Sequence, residues 1–205
     1  APVIDAVNDT AAPINGHVGG TAFTNVLAND TLNGAAVIPA QVITTFVSST
    51  NAGITLSGTN VIVAPGTPAG PYSLTYSICE VLNPSNCDQA TVSIIVTAPV
   101  IDAVNDNYNV DCANIGIIGN VLSNDSLNNI NVTIAQVNFS IENGSYPNLN
   151  IDANGNVSLT SIGHCGDFTF TYQICEKLNP DNCDTATVTI AIIDNTPPTF
   201  TVPGN

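Results

Sequence analysis

Apolar side chains alternate with Thr and Ser most regularly toward the end of each half of the chain. Leu74, Tyr76 and Ile78 share one face of a short run, and Ala90, Val92, Ile94 and Val96 share one face of the next. Phe168, Phe170, Tyr172 and Ile174, followed by Ala186, Val188, Ile190 and Ile192, repeat the arrangement in the second half. A period of two marks half-buried β-strands, so these aromatics read as core. With Asn, Gly and Pro clusters as punctuation, the first half predicts strands at Ile4 to Val7 and Thr10 to Ile14, Thr21 to Leu27, Gln41 to Ser48, Gly53 to Leu56, Asn60 to Val63, Tyr72 to Glu80 and Cys87 to Val96. Counting the first two as one interrupted strand gives seven, A to G.

The pattern recurs because the chain repeats. Ala-Pro-Val-Ile-Asp-Ala-Val-Asn-Asp occurs unchanged at Ala1 to Asp9 and at Ala98 to Asp106. Asn25-Val26-Leu27-Ala28-Asn29-Asp30 answers Asn120-Val121-Leu122-Ser123-Asn124-Asp125, and the Cys79 to Asp88 segment answers Cys175 to Asp184. One domain-sized unit was copied, which predicts repeats at 1–97 and 98–193 with 194–205 as a linker or the start of a following module. Seven short strands per unit at this spacing fit an all-β fold of two tandem immunoglobulin-like β-sandwiches. The composition agrees: Val, Ile, Thr, Asn and Ala abound, while Arg, Met and Trp are absent and Glu occurs three times.

Units this small bury roughly two-thirds or less of their unfolded surface, so cross-links or metals are expected. Six cysteines are present, and the Cys-x7-Cys spacing lacks the CxxC or His partners of a zinc site. Matching spacing predicts Cys79–Cys87 and Cys175–Cys183, each contributing about 2.5 kcal/mol by loop closure. Cys112 and Cys165 occur only in the second unit, near the end of strand A and the start of strand F, and are expected to pair with each other. Disulfides imply an oxidising, extracellular address. No basic signal region, cleavage site or long apolar run is present, which suggests a mature internal segment with export and anchoring signals elsewhere.

Sixteen carboxylates against one Lys, Lys177, give a formal charge of −15. Such a surface repels phosphate backbones and anionic lipid, so nucleic acid and direct membrane insertion are not expected. The acids are not scattered. Asp5, Asp9, Asp30, Glu80 and Asp88 recur as Asp102, Asp106, Asp125, Glu176 and Asp184. In the predicted topology the N-terminus and the B–C, D–E and F–G loops share one pole, which gathers these acids with Asn29 and Asn124. Carboxylate and amide oxygens clustered without His or thiolate suit Ca²⁺, giving Asp5, Asp9, Asn29, Asp30, Glu80 and Asp88, and Asp102, Asp106, Asn124, Asp125, Glu176 and Asp184, as candidate ligands. The plainer alternative is that Asn-Asp pairs make turns and caps. The Asp152-Ala153-Asn154-Gly155-Asn156 segment reads first as a hairpin turn.

His17 and His164 have no counterpart in the other copy and neighbour no nucleophile, so no catalytic site is expected. An intramolecular Lys–Asn isopeptide is impossible in the first unit, which has no Lys.

The Asp-Ala-Val-Asn-Asp and Asn-Val-Leu-Ala-Asn-Asp motifs, followed by a Tyr-bearing strand and a Thr-Val-rich final strand, resemble the cadherin-like or bacterial immunoglobulin-like tandem repeats of very large surface adhesins. With Ile-Cys-Glu, Asn-Pro and Asn-Cys-Asp at Ile78 to Asp88 and Ile174 to Asp184, the chain is most similar to repeats of the type IX-secreted mobile adhesins of gliding bacteria. The resemblance implies an often calcium-bound array on the bacterial cell surface that carries an adhesive region away from the envelope in adhesion or gliding motility. Neighbouring repeats would be its first partners and a surface glycan or substratum a possible further one. Asp194 to Phe200 resembles the opening of a hyalin-like repeat, which implies that the array continues. Asp9-Thr10-Ala11 and Asp30-Thr31-Leu32 also resemble O-glycosylation sites of such bacteria.

The expected role is therefore a mechanical spacer. The alternatives are a glycan- or ligand-binding module, whose site would lie in the divergent stretches Pro39 to Pro68 and Asn131 to His164, and an accessory domain of a secreted enzyme. A binder should carry an exposed aromatic cluster and a spacer should not.

Overall fold

The computed structural model describes residues 2–111, 116–144, 148–161, 166–195 and 197–198. The chain separates into two compact units, Ala1–Pro99 and Val100–Asn205, each with its own apolar core. The first unit runs through β1 (Ile4–Asp5), β2 (Asp9–Thr10), β3 (Ile14–Asn15), β4 (Gly20–Phe23), β5 (Thr31–Leu32), β6 (Ala35–Ala36), a 3-10 turn at Pro39–Gln41, β7 (Val42–Ser49), β8 (Ile54–Ser57), β9 (Asn60–Val63), β10 (Gly70–Glu80) and β11 (Asn83–Thr97). The second runs through β12 (Ile101–Asp102), β13 (Asp106–Asp111), β14 (Gly116–Asn120), β15 (Ser126–Leu127), β16 (Ile130–Asn131), β17 (Val137–Asn143), β18 (Leu149–Ile151), β19 (Asn156–Leu159), β20 (Gly166–Glu176) and β21 (Cys183–Ile193).

Each unit is a sandwich. In the first, the larger sheet has the order β2–β11–β10–β7 with β3 also beside β11, and the smaller is β4–β9–β8. In the second, β13–β21–β20–β17 lies with β14–β19–β18. The alternating residues read from sequence face inward: Leu74, Tyr76, Ile78, Ala90, Val92, Ile94 and Val96 are buried, as are Phe170, Tyr172, Ile174, Ala186, Val188, Ile190 and Ile192. Phe168 is only half-buried. β2 pairs in parallel with β11, Asp9 opposite Val92, and β13 in parallel with β21, Asp106 opposite Val188.

Several strands differ from the sequence reading. The stretch predicted from Thr10 to Ile14 is broken into β2 and β3, because Pro13 has no N–H to give to the ladder. The strand predicted to reach Leu27 ends at Phe23. Asn25 adopts φ 59° and turns the chain, so Val26 and Leu27 enter the core from a turn. Ile4 to Val7 pairs only at Ile4–Asp5, where it joins the unforeseen β5–β6 hairpin. The predicted start at Cys87 moves back to Asn83, because Glu80 pairs with Asn83 across a tight turn.

Val47 in β7 and Glu142 in β17 fall between paired positions, which makes a bulge in the outermost strand of each larger sheet. A bulge there twists the exposed edge away from pairing with a further chain.

Candidate functional site

The repeated Asp residues lie close together in each unit, around the hydroxyl of a buried tyrosine. Tyr76 is held in the core by β10, with Ala90 and Phe46 directly across from it on β11 and β7. Its hydroxyl lies 2.9 Å from the Val26 carbonyl, 3.1 and 3.2 Å from the two carboxylate oxygens of Asp30, and 3.4 Å from Oδ2 of Asp9. Tyr172 does the same in the second unit, at 3.0 Å from the Val121 carbonyl and 2.8 and 3.0 Å from Asp125. A phenol has one hydrogen to donate, so acceptors outnumber it.

The carboxylates also hold the segment that leads into each unit. Asp30 Oδ1 accepts from the Val7 N–H at 2.8 Å, and Asp88 Oδ2 from the Ala6 N–H at 2.8 Å. Asp125 and Asp184 accept from Val104 and Ala103 at the same distances. In the opposite sense, the Thr91 N–H donates to Asn8 Oδ1 and the Thr187 N–H to Asn105 Oδ1, both at 2.8 Å. These side chains replace the ladder that a continuous first strand would supply, so backbone groups at the break remain paired. The identical nonapeptide is thus a latch motif.

The remaining candidates divide. Glu80 accepts from Asn86 Nδ2, which also donates to the Pro2 carbonyl at 2.9 Å. Glu176 accepts from Asn179 and Asn182, at 2.7 and 3.1 Å. Asn29 and Asn124 donate to backbone carbonyls of the lead-in segment at Asn8, and at Val104 and Asn105. Asp5 and Asp102 are exposed on β1 and β12. Asp152 instead closes its own hairpin, accepting from the Asn156 side-chain amide and from the Asn156 and Asn154 N–H groups, and these bonds hold its carboxyl below the usual range.

Burial first, and then repulsion from Asp30, raises the Asp9 carboxyl to about 6. Burial likewise raises Asp106 to about 6, with Asp125 adding repulsion against the hydrogen bond from Tyr108. Asp30 and Asp125 are also raised, chiefly by burial, with Asp5 and Asp88, or Asp102 and Asp184, adding repulsion against their hydrogen bonds. Burial and the same carboxylates push both tyrosines upward, so their hydroxyls stay protonated. Asp106 Oδ2 is buried without a hydrogen-bond partner among the described residues. Among the described residues no three His, Cys, Asp or Glu side chains form a ready-made metal cage.

Cys79–Cys87 and Cys175–Cys183 are disulfides, each joining directly opposed residues of adjacent strands. Cys112, Cys165 and His164 lie outside the described residues.

Alternation places Tyr76 and Tyr172 in the core but assigns their hydroxyls no task, and it is silent on Asn8, Asn105, Asn86 and Asn182. Their recurrence in both copies was the available signal.

No protein-family model and no curated protein matches the sequence. Among solved structures, human protocadherin-24 EC1-2 is similar at 17% identity and TM-score 0.39, covering 95% of this chain and 99% of that one. Chicken VE-cadherin EC1-2 is similar at 14% identity and TM-score 0.36, over 93% and 97% of the two chains. The human desmocollin-1 ectodomain is similar at 12% identity and TM-score 0.38, over 95% of this chain and 42% of that one, so this chain spans less than half of its length. Similarity this distant carries no functional inference, and the sandwich is read from the chain's own strand pairing.

Proposed function

We propose that the chain is a stalk segment of a large repetitive adhesin on the bacterial cell surface, serving adhesion or gliding motility by spacing and stiffening. The observation that carries this reading is the latch built twice: in both units, buried acids and a tyrosine hydroxyl fasten the lead-in segment to the sandwich beside a disulfide. Such a unit holds the chain where tension enters it. Phe46 is the one exposed aromatic among the described residues, which favours a spacer over a binder with an aromatic platform.

Ca²⁺ at the latch pole is part of the proposal. The unpartnered Asp106 Oδ2 and the mutual repulsion of Asp102, Asp106, Asp125 and Asp184 suit a hard cation. Those four residues would hold it in the second unit, and Asp5, Asp9, Asp30 and Asp88 in the first; the ion would supply neutralisation. Backbone carbonyls and water would complete its coordination.

The test compares melting and small-angle scattering in calcium and in chelator. A ligand at a hundredfold excess over Kd stabilises by about 2.7 kcal/mol, a rise of several degrees in Tm. The rise should shrink in Asp5→Asn with Asp102→Asn, exposed positions whose loss spares the latch. Identical curves in calcium and chelator would remove calcium and leave a hydrogen-bonded spacer. A flexible scattering profile in both conditions would remove the stiff stalk.

A further inference from the structure

We propose that Asn33–Gly34 is a site of spontaneous modification, at which the side-chain amide of Asn33 is lost and the backbone is rebuilt through aspartate or isoaspartate. The pair forms the tip of the β5–β6 hairpin, with Asn33 at φ 54° and Gly34 at φ 72°, and both are exposed. The nucleophile is the Gly34 backbone nitrogen and the electrophile is Cγ of Asn33. A C–N bond forms between them, the Gly34 N–H proton passes through solvent to the departing nitrogen, the Cγ–Nδ2 bond breaks and ammonia leaves. Water then opens the five-membered imide at one of its two carbonyls. One opening gives aspartate, the other a backbone lengthened by a methylene.

Three local features favour this pair. A Cβ at Gly34 would meet nothing within 4 Å, so the ring has room to close. The Gly34 N–H makes no hydrogen bond to the described residues. The Val3 N–H donates to Asn33 Oδ1 at 3.1 Å and so polarises the carbonyl under attack.

The other three Asn–Gly pairs lack this combination. The Gly16 N–H donates to the Thr97 carbonyl at 3.0 Å, and the Gly155 N–H to the Asp152 carbonyl at 3.0 Å. Asn143 is held in β17, where its Nδ2 donates to Thr171 Oγ1 at 3.2 Å. Releasing a backbone N–H from a bond of ordinary net strength costs roughly fivefold to tenfold in rate. The matching hairpin of the second unit has Asn128–Asn129 at φ 55° and 62°, where a side chain on the second residue hinders ring closure.

The consequence is local loosening. The Asn33 N–H donates to the Val3 carbonyl at 2.7 Å, so this tip grips the lead-in segment through backbone and side chain together. An isoaspartate at 33 displaces both groups. The second unit keeps its grip, with the Asn128 N–H donating to the Val100 carbonyl at 2.7 Å.

The test is ageing of the purified chain at mildly alkaline pH, followed by peptide mass spectrometry and isoaspartate-specific methyl labelling. The Asn33–Gly34 peptide should lead those of Asn15–Gly16 and Asn154–Gly155 by about fivefold to tenfold, and the lead should collapse in denaturant, where all these pairs are equally free. Gly34→Asn, which copies the second unit's hairpin with Asn129 at φ 62°, should slow the loss and lower melting only slightly. Hydrogen exchange on the isoaspartate form should show faster exchange at Val3 and no change at Val100. Equal release from all pairs in the native chain, or no slowing in Gly34→Asn, overturns the assignment. Unchanged exchange at Val3 overturns the loosening.

Discussion

The hydroxyl of Tyr172 lies 2.8 Å from Oδ1 of Asp125 and places its one hydrogen against a carboxylate that is fully buried. Tyr76 and Asp30 repeat the relationship at 3.1 Å. A buried carboxylate is tolerated only where donors surround it, and here the second donor is the main chain of the lead-in segment. Core packing and latching are therefore coupled through one atom, the phenolic oxygen.

Removing that oxygen without removing the ring should show its worth. Tyr172→Phe leaves Asp125 with one donor fewer in a buried site, which costs about 1–3 kcal/mol and lowers the melting temperature of its unit by several degrees. Tyr76→Phe should do the same in the first unit. Calorimetry that found both variants melting with the parent would show that the hydroxyl is only a tolerated polar group.

That coupling explains what the sequence made legible. The strands richest in alternation, β10, β11, β20 and β21, were readable because two faces with different solvents impose a period of two. The acidic pole was readable because copying preserved Asp30 and Asp125 along with Asn29 and Asn124. The β5–β6 hairpin, two residues per strand, is too short for any period, and Val26 and Leu27 look like strand residues because burial selects apolar side chains whatever the backbone does. Hydrogen-bond direction was also hidden: composition cannot tell an Asp that accepts from Val7 from one that binds a cation.

The Asp88 and Asp184 bonds predict a local effect rather than a global one. Asp184→Ala strips the Ala103 N–H of its acceptor at the margin of the unit and should cost about 1 kcal/mol. Hydrogen exchange at Ala103 should accelerate while Val188 in the core stays protected. Asp88→Ala should act likewise on Ala6. Uniform acceleration through the unit would mean that the lead-in segment and sandwich open together.

The disulfides should act mainly on the unfolded chain. Cys79→Ser with Cys87→Ser opens a loop with a sequence separation of 8, and loop-closure entropy puts the loss at about 2.5 kcal/mol. Denaturant unfolding of the first unit should shift to a lower midpoint, and the β10–β11 ladder should persist by circular dichroism. Loss of strand signal in native buffer would show the bridge to be required for folding.

Stability should depend on pH with a sign opposite to ordinary acid denaturation. Asp9 and Asp106 sit at about 6 in the folded chain, against 3.8 for the free group. Asp30 and Asp125 are shifted the same way. A native state that binds a proton more tightly than the unfolded chain is stabilised by protonation. That stabilisation is fully present below 3.8 and is lost as pH rises through about 6. In chelator, melting temperature should therefore climb as pH falls from about 7 to about 5, where surface carboxylates remain ionised. Asp9→Asn with Asp106→Asn supplies a neutral group of the same shape and should flatten most of the climb while raising stability at neutral pH. A parent whose melting temperature falls steadily over that interval, with the double variant following it, would show that these two carboxyls stay ionised beside their tyrosines.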